Sequence, residues 1–224
     1  MALEYNKFIH ESKTLVIKNE DGSVRVMENN KFNKLAILIP TIVGREEYLE
    51  RLLSILNPQL HEFKNEVQLF VLSDNREKTI GEKRNILTQM AIEAGCSHRA
   101  FIDDDDTVTD DYLELNMPGV YGDYDCNSLT GLYYHNGHYD RPFVHDLKYK
   151  RAETNNDLMI YERFPNHLNV TKLSLIKDYK YEHKNFGEDM EHAERISNDG
   201  VLKTQYTIEK PIYNYYFRTK PNGI

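Results

Sequence analysis

Four consecutive aspartates, residues 103–106, follow a short apolar segment in the stretch FIDDDDTV (residues 101–108). Two unit charges ~4 Å apart repel by about 1 kcal/mol in water and by about 4 kcal/mol at the effective dielectric of a protein surface. A hard divalent cation such as Mg²⁺ or Mn²⁺ can offset this repulsion, because it prefers oxygen ligands and is held by one or two carboxylates together with substrate phosphates. The stretch therefore predicts a metal site.

The geometry of an extended chain divides these aspartates into two pairs. Successive side chains of a strand point to opposite sides, so Asp103 and Asp105 are expected on one side and Asp104 and Asp106 on the other. One pair can then share a metal ion or a ribose.

Acidic residues that follow a strand also occur in helix caps, in calcium-binding loops and in phosphatases. Helix capping is assigned to residues 109–111, Thr-Asp-Asp, which open the next predicted helix. An EF-hand is excluded because its turn glycine would fall at Val108 and the preceding residues are strand-like. The letters DDDDT match the Asp-x-Asp-x-Thr signature of haloacid-dehalogenase-type phosphatases. That signature follows the first strand of their core, whereas two strand–helix units come first here, so a phosphatase stays an alternative.

Three alternations of strand and helix must position these aspartates. KLAILIP (34–40) is an apolar run typical of a strand covered on both faces, and REEYLERLLSIL (45–56) has leucines at helical spacing. VQLFVLSDN with GEKRNILTQMAIEAG repeats the order, and HRAFIDD follows as a third strand. The order predicts parallel strands joined by right-handed crossovers.

Ligands of such folds bind beyond the carboxyl ends of the strands. Here these ends are PTIVGRE (40–46), SDNREK (73–78) and DDDD (103–106). We therefore expect all three polar segments to meet in one crevice.

The pattern divides the chain into two parts. TLVIKNEDGSVRVM (14–27) is typical of two strands around an Asp-Gly turn, which predicts an N-terminal β-hairpin extension over residues 1–33. Residues 34–224 are expected to form one domain, with 34–115 binding a nucleotide and 116–224 binding an acceptor. In the second half, mixed strands and long loops are predicted over 121–168, and a helix over residues 188–198.

Composition limits the class of protein. The chain has 224 residues, a net charge of −8 and a hydrophobic content of 40%, which allows one sizeable core and argues against a dedicated duplex-binding surface. Two cysteines, Cys96 and Cys126, are expected as free thiols of a reducing compartment. No segment has the length of apolar sequence that crosses a membrane. We expect a cytoplasmic protein, and the Asn-, Lys-, Ile- and Tyr-rich composition suggests a viral one acting in a host cytoplasm.

Taken in order, four segments resemble the motifs of a GT-A-fold glycosyltransferase of the family 2 type. They are ILIPTIVGREEYLERLL, FVLSDN, FIDDDDTVTDDYL and FGEDMEHAERI. The similarity covers roughly residues 34 to 217. It implies an α/β, Rossmann-like fold in which helices flank a mixed, mainly parallel sheet.

The resemblance also implies roles on the donor side. Thr41 and Asp74 would contact the nucleobase, with the Asp74 carboxylate accepting the N3–H of a uracil-like ring. Arg84, in GEKRN, would contact the nucleotide or its diphosphate. Arg45 is not implied by the resemblance; it is assigned as a further donor-binding residue, and a surface residue at the helix start is its alternative. The neighbouring cations are assigned to a solvated loop and helix face; these are Arg76, Lys78 and Lys83.

The remaining roles fall on acidic residues. By resemblance, Asp103 or Asp104 would hold the ribose, and Asp105, together with Asp103, would hold Mn²⁺ or Mg²⁺. Asp189 would be the catalytic base, with Glu188 as its substitute. Both residues begin a predicted helix, where the helix dipole alone would favour a negative charge.

These inferences predict a metal-dependent, inverting glycosyltransferase that uses a nucleoside diphosphate sugar, with UDP favoured by Asp74. The acceptor is a hydroxyl of a glycan or of a hydroxymethylated base in viral DNA. A sugar nucleotidyltransferase is an alternative, although PTIVGREE lacks the expected glycine-rich, basic loop. A non-catalytic module that binds nucleotide sugars is the third class.

Overall fold

The computed structural model describes residues 14–18, 24–28, 34–155 and 157–219. The chain separates into two compact units, Met1–Phe32 and Asn33–Ile224. In the first unit, strands β1 (Thr14–Lys18) and β2 (Val24–Glu28) pair in antiparallel fashion, so the predicted hairpin strands are present. The predicted Asp-Gly turn lies outside the described residues.

The second unit begins with the predicted alternation of strands and helices. Its first elements are β3 (Leu35–Ile42), α1 (Glu46–Glu62), β4 (Val67–Asp74), α2 (Ile80–Glu93), β5 (His98–Phe101), β6 (Thr107–Val108) and α3 (Tyr112–Tyr121). Residue 115, the predicted limit between the nucleotide-binding and acceptor-binding halves, lies inside α3.

Short strands dominate the rest of the unit, as predicted. They are β7 (Cys126–Asn127), β8 (Leu129–His135), β9 (His138–His145), β10 (Glu153–Asn155), β11 (Ile160–Arg163), β12 (Thr171–Lys172), β13 (Gln205–Tyr206) and β14 (Tyr213–Phe217). Two helices interrupt them, α4 (Leu173–Ile176) and α5 (Glu188–Asn198). None of the described helices combines the length and the apolar character that crossing a bilayer requires.

These strands form two mixed sheets of six strands each. The first has the order β13-β7-β12-β5-β3-β4, in which β4, β3 and β5 are parallel and β12 is antiparallel to both its neighbours. The second has the order β10-β11-β9-β8-β14-β6. The α/β class with a mixed sheet flanked by helices is confirmed. The sheets are not purely parallel, and the sequence pattern did not reveal that there are two.

Strand β3 is buried because both of its faces are covered. One set of alternate residues, Leu35, Ile37 and Ile39, belongs to a cluster with Leu52 and Leu56 of α1. The other set, Ala36 and Leu38, belongs to a cluster with Leu87 and Ala91 of α2. Each large apolar side chain buried in this way stabilises the fold by about 1.5–3 kcal/mol. The continuous apolar run of the sequence thus fixes the strand that leads to the cleft described below.

The four aspartates lie where the chain passes from one sheet to the other. After β5 the chain makes a turn, in which the amide of Asp106 donates to the carbonyl oxygen of Asp103 at 3.1 Å, and it then enters β6. The predicted extended geometry of residues 103–106 is therefore wrong. A turn directs the four side chains to different partners instead of two opposite sides.

The start of α3 differs from the prediction that residues 109–111 cap this helix. Asp111 occupies the N-cap position but makes no side-chain cap bond; it accepts a bond from Thr109 and pairs with Lys210. The amide of Leu113 donates instead to Oε1 of Gln59 at 2.8 Å, from the neighbouring helix α1. A partner distant in sequence therefore replaces the local cap.

The start of α2 is attached to the segment before α5. Thr79 and Glu82 form a capping box, and the amide of Gly81 donates to the carbonyl oxygen of Lys184 at 3.2 Å. A Cβ atom at Gly81 would lie 1.8 Å from the carbonyl oxygen of Glu182. Only glycine allows this close approach of the two backbones.

We predict that Gly81→Ala destabilises the protein by about 1–3 kcal/mol, because the added methyl group must push the two segments apart. Helix propensity alone predicts the opposite sign, since alanine is favoured over glycine by about 1 kcal/mol. Urea unfolding measures the difference. Asn57→Ala, at an exposed position of α1, is the matched control and should stabilise by about 0.5 kcal/mol. A stabilised Gly81→Ala variant would contradict the close approach.

Candidate functional site

A cleft of about 1330 Å³ lies beyond the carboxyl ends of the parallel strands. All three predicted polar segments contribute to its wall. Thr41 and Arg45 come from the first, Arg76 and Lys78 from the second, and Asp103–Asp105 from the third. The second sheet and the start of α5 supply the other walls. The predicted convergence of the strand ends is thereby confirmed.

Asp103 is the most strongly neutralised of the four aspartates. Its Oδ1 accepts a bond from Nη2 of Arg84 at 3.0 Å, and its Oδ2 lies 3.4 Å from Nε2 of His167. Burial acts to raise the pKa of Asp103, but Arg84 and His167 outweigh it and hold the pKa well below its usual value. Asp103 is therefore ionised at any ordinary pH.

Arg84 is the buried cation at the centre of the site. Besides Asp103 it contacts Glu188, whose Oε1 accepts from Nε at 3.2 Å, and its guanidinium lies 5.0 Å from the centre of the Phe101 ring. Burial opposes the charge, yet Asp103, Tyr181 and Glu188 prevail and raise the pKa of Arg84. Its Nη1 is buried without a partner among the described residues. The two N–H groups of this nitrogen have no acceptor among the described residues.

Asp104 and Asp105 share one arginine. Nη2 of Arg45 lies 2.8 Å from Oδ1 of Asp104 and 2.7 Å from Oδ2 of Asp105. Thr41 donates to the other oxygen of Asp104 at 2.6 Å, and Arg218 lies 3.5 Å from Asp105. Burial raises the pKa of Asp104 although Thr41 and Arg45 act to lower it. The side chain of Asp104 is 4% exposed and that of Asp105 is 29% exposed, so Asp105 is the more accessible to a ligand.

Asp106 faces away from the cleft and supports the turn. The hydroxyl of Tyr213 and the amide of Tyr216 each donate to its carboxylate at 2.8 Å. Burial, aided by the charge of Asp103, raises the pKa of Asp106 well above its usual value. These contacts hold the turn against β14 of the second sheet.

Groups of the protein itself therefore offset most of the electrostatic repulsion among the four aspartates. Arg84 and Arg45 supply positive charge, and Tyr213 supplies a hydrogen bond. The divalent cation inferred from the sequence is therefore not required to explain why four consecutive aspartates are tolerated.

Asp189 and Glu188 begin α5, as predicted, but their surroundings differ. The side chain of Asp189 is 25% exposed and lines the cleft. Burial acts to raise its pKa, but His167, Arg163 and Arg84 outweigh it and lower the pKa of Asp189. Glu188 is buried and bound by Arg84. At neutral pH Asp189 is an ionised carboxylate open to the cleft.

His167 lies between Asp103 and Asp189. Its Nδ1 is 3.5 Å from Oδ2 of Asp189 and has no hydrogen-bond partner among the described residues. Burial and the charge of Arg84 lower the pKa of His167 despite the bond to Asp103, so the ring is neutral near pH 7. A neutral imidazole has a single N–H. It can donate to only one of the two carboxylates at a time.

Asp74 stands behind the cleft wall. Its Oδ1 is 2.6 Å from Nζ of Lys83, and its Oδ2 accepts from the amide of Lys78 at 2.8 Å. The bond from Lys83 is the main cause of the lowered pKa of Asp74. Lys83 also donates to the carbonyl oxygen of Thr41 at 2.7 Å and is buried. The assignment of Lys83 to a solvated helix face is wrong, because an internal carboxylate binds it.

Within the described part of the chain, no three His, Cys, Asp or Glu side chains are grouped closely enough to hold a metal ion. The two predicted ligands, Asp103 and Asp105, have different partners. A single accessible carboxylate such as Asp105 nevertheless fits a cation that takes its other ligands from water and substrate phosphates.

Comparison with solved structures identifies the architecture. The structure of S. aureus TarS 1–349 in complex with UDP-GlcNAc matches with a TM-score of 0.54 and 16% identity, over 84% of this chain and 59% of that chain. The structure of TarS 1–349 matches with a TM-score of 0.51 and 15% identity, over 82% of this chain and 60% of that one. This chain therefore spans less than two thirds of the TarS chains.

The chain has a GT-A-like fold. The resemblance stated from the sequence is confirmed to that extent, whereas membership of family 2 is not confirmed. No protein-family model matches the sequence, and no curated protein matches it.

Three residues that line the cleft belong to none of the sequence motifs. His167, Arg163 and Tyr215 line it, but they come from the irregular second half, where no motif marked them. Tyr215 stacks on Tyr133 with ring centres 5.6 Å apart. The high tyrosine content of that half was a signal for Tyr215 only.

We predict that Arg84→Met destabilises the protein by about 3–5 kcal/mol, because it leaves Asp103 and Glu188 near each other without their counter-charge. Adding Glu188→Gln should recover at least about 1 kcal/mol, since it removes one of the two uncompensated charges. Urea unfolding of the two variants measures both effects.

Lys210→Met is the control for these two variants. It removes a cation from the more exposed pair with Asp111 and should change stability by less than about 1 kcal/mol. If Arg84→Met cost no more than this control, Arg84 would not be the central counter-charge.

Proposed function

We propose that the protein transfers a sugar from a nucleoside diphosphate sugar to an acceptor hydroxyl, with inversion at the anomeric carbon. The observation that carries this proposal is a single cleft lined both by arginine-bound aspartates and by an ionised carboxylate, Asp189. The GT-A-like fold supports it. TarS, which shares that fold, was solved with UDP-GlcNAc, and this supports UDP as the nucleotide.

The diphosphate of the donor is assigned to Arg84 and Arg45. Each has one buried nitrogen without a partner among the described residues, Nη1 of Arg84 and Nε of Arg45. Guanidinium groups bind phosphate oxygens through paired N–H donors. As the bond between sugar and diphosphate breaks, negative charge develops on the leaving oxygen, and cations placed there in advance lower the barrier. Asp103 or Asp104 is assigned to the ribose.

The nucleobase is assigned to the end of the cleft that Thr41 lines, with Asp74 directly behind it. Each carboxylate oxygen can accept two hydrogen bonds. Lys83 and the amide of Lys78 use one position on each oxygen of Asp74. The remaining acceptor positions of this carboxylate are assigned to the N3–H of a uracil ring.

The divalent cation, Mn²⁺ or Mg²⁺, is assigned to Asp105 together with Asp103. When bound, such a cation stabilises the charge on the departing diphosphate. The exposure of the Asp105 carboxylate supports its role, since the other ligands must come from the donor and from water.

Asp189 is assigned as the base. It takes the proton of the acceptor hydroxyl while the acceptor oxygen attacks the anomeric carbon, and the bonding electrons leave with the diphosphate. A single displacement of this kind inverts the configuration. The lowered pKa of Asp189 supports this role because the group is ionised before the reaction. Glu188, the alternative base, is bound to Arg84, and we assign it to positioning that arginine.

The acceptor is assigned to the wall formed by the second sheet. Tyr133, Tyr161 and Tyr215 line the cleft there, and aromatic rings of this kind stack on sugar rings and on bases. A glycan hydroxyl and a hydroxymethylated base of viral DNA both fit this description.

We predict that UDP-GlcNAc raises the melting temperature of the protein more than GDP- or dTDP-sugars do. A ligand at about 100 times its Kd contributes about 2.7 kcal/mol, which corresponds to a rise of roughly 5–10 °C for a chain of this size. Adding Mn²⁺ should increase the shift in the wild type but not in Asp105→Ala. The site assignment fails if no nucleotide sugar stabilises the chain, or if the Mn²⁺-dependent part survives in Asp105→Ala.

We predict that Asp189→Asn binds UDP-GlcNAc about as well as the wild type but releases UDP at least about 10²-fold more slowly. The measurement is UDP release with water as the acceptor. Asp199→Asn, at the other end of α5, is the matched control and should retain the wild-type rate. Binding without UDP release by the wild type would favour a non-catalytic module, and equal release by Asp189→Asn would remove its role as base.

A further inference from the structure

Asp105, the residue assigned to the metal, is already paired in the structure. Its Oδ2 lies 2.7 Å from Nη2 of Arg45, and the same nitrogen lies 2.8 Å from Oδ1 of Asp104. One guanidinium nitrogen therefore bridges two neighbouring carboxylates. Arg218 adds a second, longer contact to Asp105 at 3.5 Å.

A divalent cation and a guanidinium compete for these oxygens. Both are positive, and two cations held on one carboxylate oxygen repel each other strongly where water is partly excluded. The cation also needs the lone pairs that the N–H groups of Arg45 occupy. Metal binding at Asp105 is therefore opposed as long as Arg45 stays in place.

Arg45 has donors left for another anion. Its Nε is buried and has no partner among the described residues, while its side chain is partly exposed and lines the cleft. The residue follows Gly44, which has a φ of +91°, in the exposed connection between β3 and α1. A diphosphate that enters the cleft can engage the guanidinium through paired bonds.

We propose that Arg45 controls when Asp105 can bind the metal. Without a donor, Arg45 is the counter-ion of Asp104 and Asp105. When a nucleoside diphosphate enters, Arg45 exchanges its bond to Asp105 for bonds to phosphate oxygens. Asp105 then binds the cation together with the diphosphate. This inference rests on the proposed function in assigning Asp105 to the metal.

Two consequences distinguish this arrangement from a preformed metal site. The wild-type protein should have little affinity for Mn²⁺ until a nucleoside diphosphate is present. Removal of the charge of Arg45 should let Mn²⁺ bind at Asp105 without any nucleotide.

Equilibrium dialysis of the full chain against MnCl₂, without nucleotide, tests the second consequence. Arg45→Met should bind Mn²⁺ at least about tenfold more tightly than the wild type, because the competing cation is gone. Adding Asp105→Ala to Arg45→Met should abolish the gain. Lys210→Met, which removes one positive charge beside Asp111, is the charge-matched control and should behave as the wild type does.

The proposal is overturned if Arg45→Met binds Mn²⁺ no better than the wild type, or if Lys210→Met shows the same gain. It is also overturned if the gain persists after Asp105→Ala. Circular dichroism checks that each variant is folded.

A second measurement does not depend on the folding of Arg45→Met. Adding UDP to the wild type should increase protein-bound Mn²⁺ at least about tenfold, after correction for Mn²⁺–UDP in free solution. If UDP raises the melting temperature but leaves protein-bound Mn²⁺ unchanged, the role of Arg45 is refuted while the proposed function stands. If UDP fails to raise the melting temperature, the proposed function fails, and the dialysis without nucleotide still decides the role of Arg45.

Discussion

The site depends on the neutralisation of an acidic turn by arginines that come from other parts of the chain. Residues 103–106 bring four carboxylates into one turn at the junction of two sheets. Arg84 from α2 binds Asp103, and Arg45 from the start of α1 binds Asp104 and Asp105. A buried charge without a partner costs several kcal/mol. The fold must therefore hold α1 and α2 in place for the turn to exist.

Contacts of Arg84 and His167 connect this turn with the start of α5. Arg84 contacts Asp103 on the turn and Glu188 at the start of α5, while His167 lies between Asp103 and Asp189. Arg84 thus connects Asp103 with Glu188, and His167 lies within 3.5 Å of both Asp103 and Asp189. One network therefore contains both the residues assigned to the donor and the residue assigned as the base.

The sequence predicted the elements that local patterns determine. The apolar run of β3, the leucines of α1 and the strand ends that meet in the cleft follow from periodicity and from the geometry of parallel strands. Contacts between residues that are distant in the sequence leave no such pattern in it. Gln59 binds the start of α3, His167 lies between two carboxylates, and Lys83 is buried against Asp74. Each is an ordinary polar residue in its own segment and gains its role only through tertiary contacts.

The most direct measurement is a crystal structure of the protein with UDP-GlcNAc and Mn²⁺. We expect the diphosphate within hydrogen-bond distance of Arg84 and Arg45, beside the turn of residues 103–106. A nucleotide bound elsewhere, with both arginines still on their aspartates, would contradict the assignment of this turn to the donor.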